Sequence, residues 1–481
     1  MKHIIYLCLL SVYFFSCTDN KEKPSGLSLL TKCKPDGSPD SVYCGTLEVF
    51  ENRITNSGRK ISLYVIVIPA IDSTAKEAPV FIIEGGPGVA ATNGLSFYAM
   101  RDNVYRQRHD VLLIDVRGTG KSNPLNCASL QYKAGLEDHF KEMYPIKDVK
   151  DCYDSLSAIA DLRQYTTENV VKDLEEVRQW LGYEKAHLFG LSYGTRVVQV
   201  YMKMFPGSVA SSVLWSPVVM NGKIPLYHAR FAQDAMNLLF EDCSKDSLCS
   251  AIYPDIKSEF TELMNKWNQQ SFTYKWKNEK DEKKEVRVSW DAFQTKIRSL
   301  GYSPAGMRMI PYLVHEAWKG NLQPFINLFP KESVMDDFIA EGFYLCITCS
   351  EDIPFIKKDD IAAQTSNTFM GTYRIDQQLQ ACAVWAKGKV ADDFREPVKS
   401  DIPTLIISGS FDPVTPPAWA KDIASHLSNC IVVTIPQMSH MFDGLSNEEC
   451  FDKLVVDFIS NPAKINADCI EQMKPPPYKI R

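Results

Sequence analysis

The chain has 481 residues and a formal net charge of −6, with 45% hydrophobic and 23% charged residues. This composition is typical of a globular protein with a substantial core, and it excludes a disordered chain, a collagen-like repeat and a polytopic membrane protein. No run of five or more basic residues occurs in the sequence, so we expect no nucleic-acid partner. The length suits one large domain with an insertion, or two or three smaller domains.

The first residues are typical of an export signal rather than of a folded domain. Met1-Lys2-His3 precedes an apolar run over residues 4–15, which is too short to span a bilayer as a helix. Cys17 lies where a bacterial lipoprotein signal has its lipidated cysteine, although Phe14 departs from the leucine that is usual three residues earlier. The alternatives are an ordinary cleaved signal or a short anchor. We expect an exported protein, periplasmic or on the outer surface, that meets a bacterial membrane only through a lipid on Cys17.

Twelve of the 14 cysteines lie after the predicted signal. In an exported protein they are most simply explained as disulfides, but the sequence leaves their pairing open. The cysteines that lie near one another in the chain are Cys33 and Cys44, Cys127 and Cys152, Cys243 and Cys249, Cys346 and Cys349 with Cys382, and the last three, Cys430, Cys450 and Cys469. Because this last group has three members, either one pairing is longer in range or some thiols are free. No second CxxC motif or nearby pair of histidines completes the Cys346-x-x-Cys349 motif, so we expect no zinc site.

Strand and helix patterns alternate along most of the chain, which indicates a mostly parallel sheet with helices on both faces. The predicted strands are Val42–Phe50, Lys60–Pro69, Pro79–Ile83, Asp110–Ile114, Lys185–Phe189, Val209–Trp215, Pro403–Ser408 and Ile431–Ile435, and the predicted helices are Thr167–Leu181, Tyr193–Phe205, Pro417–Leu427 and Asn447–Ile459. In the first two predicted strands apolar and polar residues alternate, which is typical of an antiparallel pair.

Between these parts, residues 221–397 are mainly helical in pattern, with amphipathic stretches at Phe231–Phe240, Ile256–Trp267 and Met307–Trp318. Because the same architecture continues on either side, we predict that this stretch is a helical cap inserted into one core. The predicted organisation is a signal at 1–17, a linker at 18–40, a core at 41–220 and 398–470, the cap at 221–397 and a tail at 471–481.

Gly190-Leu191-Ser192-Tyr193-Gly194 is a GxSxG motif. A predicted strand ends before it and a predicted helix begins within it, so Ser192 falls on the sharp strand-to-helix turn that exposes a nucleophilic hydroxyl. The alternative is a serine in an ordinary glycine-rich turn. A serine attacks only when a base removes its proton, and that base should be a histidine oriented by a carboxylate.

Asp412 and His440 are the candidates for the carboxylate and the base. In folds with this motif, the acid and then the histidine follow the serine in chain order. Asp412 comes just after the predicted strand Pro403–Ser408 and His440 after the next strand, where the active sites of open α/β sheets gather. The competing His426 lies within a predicted helix, and the alternative role for Asp412 is that of a turn residue before proline.

The anion formed during attack needs backbone N–H donors. We expect one donor from Tyr193, directly after the serine, and another from Gly85 or Gly86 in the Glu84–Gly88 stretch that follows an early strand. A plain tight turn is the alternative interpretation of that stretch.

These motifs together resemble the α/β-hydrolase serine peptidases of the prolyl aminopeptidase family, and more closely its secreted tripeptidyl aminopeptidase branch. In chain order, the resemblance is carried by Glu84–Gly88, Asp115–Ser122, Gly190–Gly194, Asp412–Pro416 and His440. Glu84 departs from the histidine that many prolyl aminopeptidases have at this position. The implied fold is that of an α/β-hydrolase, with a mostly parallel central sheet, helices on both faces and an inserted helical cap.

The resemblance implies a serine exopeptidase that releases proline or a short peptide from peptide substrates with a free N-terminus. Ser192 would attack the scissile carbonyl, with His440 as base and then acid, while Asp412 would hold the imidazole. Water would then hydrolyse the acyl-enzyme, and no metal or cofactor would be needed.

The resemblance also implies that carboxylates bind the ammonium group of the substrate, because in this family carboxylates of the cap do so. Glu351 and Asp352 are the candidates, beside Cys349, which the resemblance allows to pair with Cys382. Glu84 is a third candidate because it borders the oxyanion loop. The alternative for the acidic pair is an ordinary solvated loop.

Two other functions stay open. A carboxylic-ester hydrolase on the same fold would have the same triad, although the acidic pair in the cap and the Gly-Gly-Pro-Gly sequence favour a peptidase. A catalytically inactive, lipid-anchored binding protein is the second alternative. The intact set of Ser192, Asp412 and His440 argues against it, because lost catalysis would let any of the three change.

Overall fold

The computed structural model describes residues 26–75, 77–131, 136–267, 271–277, 283–329 and 338–480. The predicted signal at 1–17, with Cys17, lies outside the described residues. The strands of the described residues are β1 Thr31–Cys33, β2 Val42–Phe50, β3 Lys60–Ile68, β4 Val80–Ile83, β5 Val111–Ile114, β6 Ala186–Leu191, β7 Val209–Trp215, β8 Ser271–Lys277, β9 Lys283–Ser289, β10 Thr404–Gly409 and β11 Cys430–Ile435.

Nine of these strands form one sheet in the order β1-β2-β3-β5-β4-β6-β7-β10-β11. The strands β1, β2, β3 and β5 pair antiparallel, and all pairs from β5 through β4, β6, β7 and β10 to β11 are parallel. Because parallel strands need long crossovers, helices cover both faces and the central strands are apolar on both sides. The carboxyl ends of the parallel strands therefore meet at one edge.

The alternation of side chains along each central strand divides the core into two layers. On β4, Phe81 and Ile83 join the layer under the helices Thr167–Trp180 and Tyr193–Met204, whereas Val80 and Ile82 join the layer under the helix Glu449–Ser460. The helices are α1 Leu95–Tyr98, α2 Ile146–Ser157, α3 Thr167–Trp180, α4 Tyr193–Met204, α5 Ile224–Lys245, α6 Ser247–Ile252, α7 Ile256–Trp267, α8 Trp290–Leu300, α9 Pro304–Trp318, α10 Gln323–Ile326, α11 Glu341–Glu351, α12 Lys358–Thr365, α13 Tyr373–Val384, α14 Pro417–Ala424 and α15 Glu449–Ser460.

The stretch between β7 and β10 is mostly helical, as the pattern predicts, but it also contains the antiparallel pair β8–β9. Its helices α5, α7, α8 and α9 surround a separate apolar cluster that includes Phe260, Phe293 and Leu313. The helix α11 behaves differently, because Phe343 and Ile347 pack into the main core beside the sheet. The insertion is thus partly a cap and partly a component of the core.

Five disulfides crosslink the described residues: Cys33–Cys44, Cys127–Cys152, Cys243–Cys249, Cys349–Cys382 and Cys450–Cys469. Cys346 and Cys430 are free thiols. Crosslinks of this number are typical of proteins that fold in an oxidising compartment. Within the described part of the chain, no helix has the length and apolar character needed to cross a membrane.

Candidate active site

Ser192 lies between β6 and α4 with φ of 54° and ψ of −120°. A serine rarely adopts this left-handed conformation, and such strain is typical of a nucleophile held on a sharp turn. The flanking glycines permit the turn because backbone atoms approach them closely. A Cβ on Gly194 would lie 2.1 Å from the Ile83 carbonyl oxygen, and one on Gly190 would lie 2.7 Å from the Gly194 oxygen.

Asp412 and His440 lie on the loops that follow β10 and β11, at the carboxyl edge of the sheet. The Asp412 Oδ2 atom is 2.9 Å from His440 Nδ1 and accepts a 2.7 Å hydrogen bond from the Thr415 hydroxyl. Asp412 Oδ1 accepts the backbone N–H groups of Val414 and Thr415 at 2.7 and 2.9 Å. A carboxylate bound in this way fixes the ring orientation of the histidine and leaves Nε2 for proton transfer.

Both Asp412 and His440 are buried. Burial raises the pKa of Asp412, but the attraction of His440 and the hydrogen bonds from His440 and Thr415 outweigh it, so the pKa lies below its ordinary value of 3.8. Asp412 is therefore an anion at neutral pH, able to stabilise an imidazolium. The Ser216 hydroxyl donates a 2.8 Å hydrogen bond to the His440 carbonyl and supports the loop.

The glycine-rich loop after β4 lies against the serine. A Cβ on Gly85 would be 3.0 Å from Ser192 Cβ and 3.6 Å from Ser192 Oγ, so the loop backbone reaches Ser192 only because Gly85 has no side chain. Gly86 has φ of 106°, a conformation that favours glycine. Tyr193 begins α4, and the first N–H groups of a helix have no intrahelical acceptor. These positions are suited to donating hydrogen bonds to an oxyanion.

A cavity of about 530 Å³ opens over Ser192 and His440. The core contributes Glu84, Gly85, Gly86, Val414 and Thr415, the segment before α2 contributes Asp138, Glu142 and Tyr144, and the insertion contributes His228, Arg298, Tyr302, Glu341, Tyr344 and Arg374. The cavity thus lies between the sheet edge and the insertion. Its volume suits a small molecule or a few amino acid residues.

Glu84 is the predicted carboxylate that the structure does place in this cavity. Its carboxyl group is desolvated, and this burial raises its pKa to about 7 despite a hydrogen bond from the Gly85 N–H. The group lies one residue from the glycine that touches Ser192. It can therefore change charge near neutral pH beside the reacting centre.

Glu351 and Asp352 are not brought into the cavity. Both are fully buried at the far end of α11, where Arg196 Nη2 donates a 2.9 Å hydrogen bond to Asp352 and Arg196 Nη1 lies 3.5 Å from Glu351. The N–H and hydroxyl of Thr167 both donate to Glu351 at 2.7 Å. These carboxylates lie against the buried guanidinium of α4 and do not line the cavity.

Glu341 is a cavity carboxylate that the sequence analysis missed, although it is the first residue of the same helix, α11. Its carboxylate accepts a 3.2 Å hydrogen bond from Tyr144. Burial raises the pKa of Glu341, against the opposing effects of Tyr144 and Arg374. No local signal separates Glu341 from Glu351, because which end of a buried helix reaches a cavity depends on tertiary packing.

Residues 78–442 match the protein family described as alpha/beta hydrolase fold. The chain belongs to this family. The predicted fold class and the resemblance to this group of hydrolases are thereby confirmed, since the sheet order, the strand-to-helix turn at Ser192 and the sequence match agree.

Several characterised relatives bear peptidase names. The chain is 24% identical over 476 residues to the serine protease Hip1 of Mycobacterium tuberculosis, covering 88% of this chain and 85% of that protein. It is 28% identical over 226 residues to the tripeptidyl aminopeptidase of Streptomyces lividans, covering 43% and 41% of the two chains. Among solved structures, proline iminopeptidase of Mycobacterium smegmatis superimposes with a TM-score of 0.39 and 15% identity, covering 87% of this chain and 98% of that chain.

Proposed function

We propose that the protein is a serine exopeptidase that releases proline or a short peptide from substrates with a free N-terminus. The observation that carries this proposal is that Ser192 and His440 line one cavity together with Glu84 and Glu341, two carboxylates whose pKa is raised by burial. A nucleophile and its base serve any acyl transfer, but a desolvated carboxylate in the same cavity is suited to an ammonium group. The peptidase names of the relatives support the same substrate class.

In the proposed mechanism, Ser192 attacks the carbonyl carbon of the scissile peptide bond while His440 Nε2 takes the hydroxyl proton. The tetrahedral oxyanion accepts hydrogen bonds from the backbone N–H groups of Tyr193 and of Gly85 or Gly86, each worth about 3 kcal/mol of the barrier. Asp412 stabilises the imidazolium, which then gives its proton to the leaving amine. Water, activated by the same histidine, hydrolyses the acyl-enzyme.

We assign recognition of the substrate ammonium to Glu84 and Glu341. Each lines the cavity and each has a pKa raised by burial, so a cation that enters gains a charge-assisted hydrogen bond and favours the ionised carboxylate. Tyr144 holds Glu341 in place through its hydroxyl. A short cavity closed by the insertion would admit a chain end rather than the middle of a folded polypeptide.

The test compares p-nitroanilides of proline, of alanine and of a short proline-containing peptide, each with a free and with a blocked N-terminus. We expect the free forms to be hydrolysed and the blocked forms to be poor substrates, with all activity lost in Ser192→Ala. In Glu84→Gln or Glu341→Gln, kcat/KM for the free forms should fall by about tenfold to a hundredfold. Equal turnover of blocked amides, or turnover of a p-nitrophenyl ester alone, would replace the proposal with an ester hydrolase.

We further propose that the protein is exported and lipid-anchored through Cys17. The sequence of residues 1–17 and the five disulfides support this compartment. Radiolabelled palmitate should be incorporated into the protein in a bacterial host and should be absent from Cys17→Ser. Label that persists in that variant would contradict the assignment.

A further inference from the structure

The Arg298 side chain is a guanidinium in the active-site cavity that has no anionic partner among the described residues. It lines the cavity from the end of α8, and its Nε and Nη2 atoms are buried without a hydrogen-bond partner. Arg374, in the same cavity, donates instead to Gln378 at 2.8 Å and to Tyr344 at 2.5 Å. Leaving buried guanidinium donors unpaired is costly, so an anionic group that entered the cavity would be stabilised at this position.

The position of Arg298 is fixed relative to the catalytic histidine. Its Cζ atom lies 5.3 Å from the centre of the Tyr302 ring, and that ring lies edge-on to the His440 ring at 5.2 Å. The Tyr302 carbonyl accepts a 2.7 Å hydrogen bond from the N–H of Met441, the residue after the histidine. The guanidinium and the imidazole therefore both pack against the same aromatic ring.

His228, on α5, adds a second unsatisfied group to the same wall of the cavity. Its Nδ1 atom is buried and has no hydrogen-bond partner among the described residues. Burial lowers the pKa of His228 well below its usual value, and the nearby charges of Arg298, Arg374 and His440 lower it further. The ring is neutral and keeps one N–H group that can donate a hydrogen bond to an anion.

We propose that Arg298, assisted by His228, binds a carboxylate on the leaving part of the peptide substrate; this inference rests on the proposed exopeptidase function. A guanidinium presents paired N–H donors that match the two oxygens of a carboxylate. The ligand class is therefore a peptide with a free C-terminal carboxylate, or with an acidic side chain, a short distance beyond the scissile bond.

The chemistry of His440 indicates which part of the substrate, the leaving fragment, lies near Arg298. The imidazolium must give its proton to the leaving amine, so the leaving fragment lies against the histidine. Arg298 packs on the Tyr302 ring that contacts this histidine. An extended peptide spans about 3.3–3.6 Å per residue, so the two ring separations correspond to at most about three residues. The geometry thus favours short peptides, whose C-terminus reaches Arg298, over long chains.

The test uses four substrates with one common acyl part. They are a p-nitroanilide, a peptide with two leaving residues and a free carboxylate, the same peptide as its C-terminal amide, and that amide with aspartate as the last residue. The wild-type protein should hydrolyse the free acid with kcat/KM about tenfold to a hundredfold above the amide. If the amide that ends in aspartate regains the kcat/KM of the free acid, the site also binds acidic side chains. If its kcat/KM stays at the level of the plain amide, the site binds only the C-terminal carboxylate.

Equal kcat/KM for acid and amide, together with good turnover of the anilide, would overturn the carboxylate site but leave the exopeptidase function intact. Failure to hydrolyse any of the four would overturn both. In Arg298→Met the acid-to-amide ratio should fall to near one, and because the ratio is taken within one variant, a general loss of turnover cancels.

The control is Lys296→Met on the same helix. Lys296 Nζ lies 4.8 Å from the centre of the Phe329 ring and does not line the cavity, so the ratio should stay at the wild-type value. An equal fall in the ratio for both variants would contradict the assignment to Arg298. If Arg298→Met does not fold, the wild-type ratio of acid to amide still decides the proposal.

Discussion

Arg196 Nη2 donates a 2.9 Å hydrogen bond to Asp352 Oδ1, and neither side chain has exposed surface. Arg196 follows Ser192 by four residues on α4, whereas Asp352 directly follows α11 of the insertion. The pair, with Glu351 3.5 Å from Nη1, joins α4, the helix that follows Ser192, to the insertion that lines the cavity. It is a structural contact between core and insertion.

Replacing Arg196 should therefore destabilise the fold strongly. In Arg196→Met, two buried carboxylates lose their counter-ion, and we expect a loss of about 3–5 kcal/mol in the free energy of unfolding. Urea denaturation at pH 8 measures this loss. The control is Lys203→Met on the same helix, because Lys203 pairs with Asp393 at the surface and should cost less than about 1 kcal/mol. Similar losses in both variants would contradict a dominant role for the buried pair.

Asp412→Asn should leave the fold intact and lower kcat for free-amine anilides by about 10³–10⁴-fold, because an amide no longer stabilises the imidazolium or selects the ring tautomer. Thr415→Val removes one 2.7 Å hydrogen bond to the same carboxylate and should lower kcat by about threefold to tenfold. Circular dichroism serves as the check on folding. A kcat of Asp412→Asn within tenfold of wild type would exclude Asp412 from the triad.

The stability of the protein should depend on pH through Glu84. Burial raises the folded-state pKa of Glu84 from 4.5 to about 7, so the folded state holds the proton more tightly than the unfolded state. The resulting stabilisation is complete below about pH 4.5 and is lost as the pH rises through 7, amounting to about 3 kcal/mol. The difference in unfolding free energy between wild type and Glu84→Gln should therefore shift in favour of the variant between pH 5 and pH 8. A difference that is constant over this interval would refute the raised pKa.

Cys346 and Cys430, the free thiols of the described residues, should differ in their reaction with iodoacetamide. Cys430 is partly exposed, and burial raises its pKa, so it should be alkylated slowly in the folded protein. Cys346 is fully buried beside the Trp385 indole, and burial raises its pKa to about 12, so it should react only after denaturation. Peptide mapping without reduction measures both sites. Alkylation of Cys349 or Cys382 under these conditions would contradict their disulfide.

Much of the fold follows from local sequence patterns. The strands Val42–Phe50 and Val209–Trp215 and the helix Ile256–Trp267 have their predicted bounds, because strand alternation and helical periodicity are properties of short segments. The pair β8–β9 escaped prediction because its residues include four lysines and one glutamate, residue types that are uncommon in strands. Its stability comes from Val286 and Val288 in the cap cluster, which is a tertiary effect.

Part of the candidate site also follows from the sequence, and the rest depends on tertiary packing. Ser192, Asp412 and His440 follow strands, so chain order alone indicates that they meet at one edge of the sheet. The carboxylates proposed to bind the substrate amine are different, because Glu341 and Glu351 are the two ends of one helix and only the packing of α11 against the core decides which end reaches the cavity. The sequence is equally compatible with either end lining the cavity, but in the structure Glu351 lies beside Arg196 and Glu341 lines the cavity.

The most direct test of the central claim is mass spectrometry of products from one ten-residue peptide and its N-acetylated twin. A serine exopeptidase that binds the free amine should remove a fixed unit from the N-terminus of the first peptide and leave the acetylated twin intact. The Ser192→Ala variant should cleave neither peptide. Cleavage of both peptides at internal bonds, or of neither while an ester is hydrolysed, would contradict the assigned function.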